Sequence, residues 1–166
     1  MFELKRLSRD AVPAALEKAE RYRLLNEPLE AESICRDVLD VDPENQEALV
    51  MLLLALTDQF DDRLGDAVGS AREALSRLRD DYSRSYYSGI LCERQAKAHF
   101  RRGGPHAGRS AYGWFREAME HYEKAIEVRP PHNDDAILRW NTCARVLMAN
   151  PKLAPEQEEA FHTWLE

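Results

Sequence analysis

The sequence predicts an all-α fold made of antiparallel helix pairs, and three observations carry that prediction. Apolar and small residues recur at helical spacing almost from end to end, with hardly any alternating stretch of strand length. Proline, asparagine and glycine break the pattern at short intervals, which implies short helices joined by tight connections. One stripe of small residues also recurs: AESICRDVLDVDPEN at 31–45, AVGSAREALSRLRDD at 67–81 and AMEHYEKAIEVRPPHN at 118–133.

The totals narrow the function classes. A chain of 166 residues can bury a core of its own, so a single helical domain over 1–166 is expected. Its 30 acidic and 23 basic side chains give a net charge of -7, which opposes whole-surface attraction to nucleic acid or anionic lipid. The longest apolar run, VMLLLAL at 50–56, falls far short of the roughly 20 residues that span a bilayer, and MFELKRLSRD carries no secretory apolar segment. A cytoplasmic protein without membrane contact is the expectation. Cys35, Cys92 and Cys143 are odd in number and widely spaced, and they read as reduced thiols at helix interfaces.

The elements follow in order. A first helix is expected from Ala14 to Leu25, with Leu16, Ala19 and Tyr22 on one side. Asn26-Glu27-Pro28 interrupts it, Asn26 serving as the cap of a second helix from Leu29 to Val41. Pro43 ends that helix. A third helix should run from about Gln46 to Gln59 and a fourth from about Leu64 to Asp80. Tyr82, Tyr86 and Tyr87 mark a bridge or the first turn of a fifth helix that reaches about Arg101. Ser110 to Val128 forms the sixth, Pro130 and Pro131 stop it, and Asn133 caps a seventh that ends near Met148. Pro155 opens a short terminal helix whose Ala160, Phe161, Trp164 and Leu165 cover the last open face.

In the repeated stripe, Ala31, Cys35, Val38 and Pro43 line up with Ala118, Tyr122, Ala125 and Pro130. Ala67, Ala71 and Ala74 match the helical part of the middle copy, which lacks the proline. Small residues at this spacing let a neighbouring helix approach closely. The pattern resembles the tetratricopeptide repeat family, whose unit is a pair of antiparallel helices about 34 residues long. Ala19 and Tyr22, Leu53 and Leu56, and Ala96 and His99 take the places of the small residue and the following aromatic in the family's first helix. Asn26 and Gly103 take the place of its closing small residue. The chain departs from the family in lacking the first-helix glycine and in carrying Ala15 where tryptophan is usual. Ala31 to Ala67 spans 36 residues but Ala67 to Ala118 spans 51, so extra chain enters around the fifth helix.

Over Val12 to Asn150 the resemblance implies a short right-handed superhelix, with repeats at approximately 12–45, 46–81, 82–132 and 133–166, the last partial and followed by a cap. It also implies a protruding loop at the insertion. By the same resemblance the protein is a non-enzymatic adaptor that holds a segment of another protein in a concave groove, by shape and charge complementarity. The groove residues would be Leu16, Glu20 and Arg23, then Val50 and Leu54, then Glu93, Lys97, Phe100 and Arg101, and finally Leu138, Thr142 and Arg145. Members that grip a C-terminal carboxylate use lysine and asparagine where this chain has Leu16 and Glu20, so that mode is not expected. A self-associating structural module is the second reading. An RNA-associated repeat is the third, and the net charge disfavours it.

The segment GGPHAGRS at 103–110 comes within one letter of a phosphate-binding loop. A functional loop of that kind follows a strand and supplies a lysine, whereas here the helical KAHFRR precedes it and Arg109 stands in the lysine's place. Gly103 and Gly104 instead end one helix, Pro105 stiffens the turn, and Arg109 or Ser110 opens the next. What remains is a basic patch of Arg101, Arg102, His106, Arg109 and Arg116, which reads either as a solvated face or as a site for an acidic peptide or phosphate group. Tyr86, Tyr87, Trp114 and Phe115 read either as core or as an aromatic hot spot. The five histidines fall into no metal-ligand spacing, and His132-Asn133-Asp134-Asp135 suits a helix start. No catalytic group, cofactor site or metal site is nominated.

Overall fold

The computed structural model describes residues 1–154. The expected terminal helix, with Phe161, Trp164 and Leu165, lies outside the described residues. A short 3-10 turn at Arg9–Ala11 leads into α1 (Val12–Leu24), followed by α2 (Pro28–Val41), α3 (Gln46–Thr57), α4 (Phe60–Ser76), α5 (Asp81–Arg102), α6 (Ala107–Glu127) and α7 (Asp135–Ala149). Among the described residues there is no strand, and no helix is long and apolar enough to cross a membrane.

Short connections turn each helix back on its predecessor, and every consecutive pair from α1 to α7 packs together, the α5–α6 pair most extensively. The first helices of successive pairs also touch, α1 on α3 and α3 on α5. Between α2 and α4, by contrast, an open groove remains, lined by Arg36, Leu39 and Asp40 on one side and Ser70, Glu73 and Arg77 on the other. Over the first three pairs the first helices α1, α3 and α5 therefore make the closer-packed layer.

The repeated stripe is the inner side of the second helices. Ala31, Cys35 and Val38 on α2, Ala67, Ala71 and Ala74 on α4, and Ala118, Tyr122 and Ala125 on α6 are all at most 2% exposed. Alanine at a crossing lets two backbones approach and gains dispersion contacts along both helices. Where α6 carries the bulky Tyr122, α5 answers with Gly89: a Cβ there would lie 2.4 Å from the Tyr122 ring. All three cysteines are buried and unpaired, as expected of thiols at helix interfaces.

Several boundaries correct the sequence expectations. Asn26 does not cap α2; it lies at φ 60 and closes α1, with its N–H on the Arg23 carbonyl and the Glu27 N–H on the Tyr22 carbonyl. That is a left-handed helix stop, which asparagine tolerates better than most residues. Pro28 still opens α2. Further on, α3 ends at Thr57 and α4 starts at Phe60, with a break at Arg63 (φ -135, ψ 42).

The expected protruding loop shrinks to 103–106. Ala107, Gly108, Arg109 and Ser110 are already the first turn of α6, and the inserted chain is absorbed by two long helices of 22 and 21 residues. Gly103 (φ 71) and Gly104 (φ 105) do end α5. Asp134, not Asn133, is the N-cap of α7 and makes no side-chain cap bond; Asn133, one residue earlier, accepts from the Asp135 N–H at 3.0 Å.

Two glycine substitutions test this packing. Gly89→Ala should lose about 1–3 kcal/mol to overpacking against Tyr122. Gly113→Ala, with open space around the added methyl on α6, should gain about 0.5–1 kcal/mol. Urea unfolding midpoints that move in opposite directions support the α5–α6 register, and a shared direction refutes it.

Candidate functional site

The sequence-nominated groove residues divide by burial. Glu20 on α1 and Leu138, Thr142 and Arg145 on α7 are exposed; Arg23, Val50, Leu54, Lys97 and Phe100 are half-buried; Arg101 is exposed. Leu16 is a correction. It is 3% exposed and packs with Val12, Val38, Val41 and Ala48, because its face of α1 meets α2. Glu93 is a second correction, since its carboxylate is 1% exposed and lies between helices.

Glu93 on α5 is held from three helices. Tyr122 of α6 donates its hydroxyl to Oε2 at 2.6 Å, while Lys97 of α5 and Arg139 of α7 reach Oε1, the latter at 3.3 Å. Burial pushes the Glu93 carboxyl up, but the hydrogen bonds from Lys97 and Tyr122 and the Lys97 and Arg139 charges outweigh it and hold the group below its ordinary value. Tyr122 shifts far upward through burial and the adjacent Glu93 charge, which keeps its hydroxyl a donor.

Asp58, at the end of α3, plays the same part between earlier pairs. It accepts from Arg23 Nε of α1 at 2.8 Å and lies 3.5 Å from Arg94 Nη1 of α5. Arg94 Nε is buried without a hydrogen-bond partner. Glu32 on α2 accepts from Arg36 and from Gln59 Nε2 at 2.8 Å, with Arg63 at 3.5 Å. Burial pushes Glu32 up, yet the Gln59 and Arg36 hydrogen bonds and the Arg36 and Arg63 charges leave it lowered.

The basic patch is partly neutralised. Arg101 donates through Nε and Nη2 to Asp61 Oδ1 at 3.0 and 2.8 Å, while Arg102, His106, Arg109 and Arg116 are exposed. Of the nominated aromatics, Phe115 is 1% exposed and belongs to the core, because its side of α6 faces α5. Trp114 is half-buried and stacks on His99 with ring centres 6.5 Å apart. Tyr86 and Tyr87 are half-buried in a chain of ring contacts from Tyr82 to Tyr122.

The packing of α5 on α6 also assembles a set that the sequence did not connect. Cys92, Glu117 and His121 place one ligand atom each within 4.8 Å of one another. Burial and the neighbouring Glu117 charge push the Cys92 thiol up to about 12, and burial and the Lys124 charge lower His121. Glu117 and His121 are four apart on a helix, which the sequence does show. Cys92 joins them only through the register of α5 against α6.

Compared with known proteins, the chain matches no family model and no curated sequence.

Tyr122→Phe leaves a buried carboxylate short of a donor and should cost about 1–3 kcal/mol, read from urea unfolding. For Glu32, a folded value below the ordinary 4.5 means that its stabilisation is fully present above that pH and fades as pH falls through the folded value. In Glu32→Gln the stability of the protein should therefore decline less steeply than wild type below about pH 4.5; identical acid limbs would show that Glu32 carries no such linkage.

Proposed function

We propose that this chain is a non-enzymatic protein-binding module of tetratricopeptide-like architecture, a short right-handed stack that holds an extended or helical segment of another protein across α1, α3, α5 and α7. The observation that supports it most is the ion-pair lattice on those first helices. Arg23–Asp58–Arg94 and Lys97–Glu93–Arg139 run from one first helix to the next, so long cationic side chains are already held in place. A partner that docks there orders fewer rotamers and keeps more of its contact energy. Around the lattice, Glu20, Leu138, Thr142 and Arg145 are exposed and offer mixed charge and apolar contact. Binding proceeds by complementarity, without a covalent step.

Self-association is the second reading, favoured by Leu24, Leu25 and Leu29, which stand exposed together around the α1–α2 turn. The two readings separate by experiment. In the binding reading the immobilised wild type retains a partner that a Leu138→Glu, Arg145→Glu variant with unchanged circular dichroism loses, and the free protein sediments as a single chain. Equal retention by both proteins removes the first-helix face as the site. A concentration-dependent mass that Leu25→Glu reduces would favour self-association instead.

A further inference from the structure

We infer that Cys92, Glu117 and His121 form a binding site for a divalent transition metal of the zinc or cobalt type, with one coordination position left to solvent. The donors are one sulfur, one imidazole nitrogen and one carboxylate oxygen, supplied by two helices whose register is set by extensive packing. Zinc bonds of about 2.0–2.3 Å at tetrahedral angles place such donors roughly 3.5 Å apart. Here the three atoms lie within 4.8 Å of one another, and the remaining distance closes by rotation of two side chains that have room to move: His121 is 27% and Glu117 51% exposed.

The set matches borderline metals in chemistry as well as in spacing. Sulfur and imidazole disfavour magnesium and calcium, which take oxygen ligands, and suit zinc and cobalt. A thiolate and a carboxylate together cancel the charge of a dication, and charges of both signs surround them, Arg72 acting on Cys92 and Lys124 and Glu120 on His121. Coordination exchanges the Cys92 S–H bond for an S–metal bond and releases one proton to the buffer. Burial grades from Cys92, 4% exposed, out to Glu117 at the surface, so the fourth position opens toward water. Without a metal, the same three residues amount to a thiol hydrogen-bonded to Glu117 and a weak Glu117–His121 pair 4.0 Å apart.

Cobalt(II) added to the reduced, metal-free full chain tests the site, because thiolate ligation produces a charge-transfer absorption band. The expected result is a band that saturates at one cobalt per chain, is displaced by zinc and is unaffected by magnesium. Cys92→Ser should abolish it, and His121→Ala and Glu117→Gln should each weaken binding at least about tenfold. Cys35→Ser and Cys143→Ser should leave it intact, with circular dichroism confirming the fold of every variant. Absence of a band, a band that survives Cys92→Ser, or unchanged affinity in both His121→Ala and Glu117→Gln would overturn the assignment.

Discussion

Helices in this chain can stack only where a small side chain lets two backbones come close, and the alanine stripe on α2, α4 and α6 provides those crossings. Each second helix thereby packs on the helices before and after it, and the polar sides of all of them turn outward. Enlarging a crossing residue demands a matching loss opposite, as Tyr122 and Gly89 show. That exchange also carries the Tyr122 hydroxyl inward, where it meets Glu93.

Charges buried along the way need partners, because a carboxylate taken out of water is costly unless hydrogen-bonded and paired. Glu32, Asp58 and Glu93 each meet that requirement by drawing on more than one helix. Apolar substitutes of similar volume often pack at least as stably, so the lattice contributes more to where the helices sit than to net stability. It fixes the first helices relative to one another and presents a surface whose long side chains are already ordered. The same economy of motion serves the metal-binding trio, since α5 and α6 hold Cys92 against the Glu117–His121 turn through a long shared interface.

The two candidate sites share α5 and α6. Glu93 of α5 lies between Tyr122 of α6 and Arg139 of α7, whereas Cys92, one residue earlier, meets Glu117 and His121 of α6. Neighbouring positions on a helix differ by about 100°, so adjacent residues of one element meet different side chains.

Helical periodicity, proline stops and the small-residue stripe determined the seven described helices, their order and the nine buried stripe positions, because these depend on local spacing and on side-chain size. Local spacing does not specify what a residue faces. Leu16, Glu93 and Phe115 share their helices with exposed neighbours, and only the packing of α2, α7 and α5 against them decided that they are interior. The inserted residues around the fifth helix read as a loop, yet they lengthened α5 and α6 because each helix supplies the apolar partner that the other needs. Asn26 could start one helix or stop another with the same side chain, and backbone geometry chose the stop. Cys92, Glu117 and His121 are separated by up to 29 positions, and their meeting was settled by helix register alone, which is a property of tertiary packing.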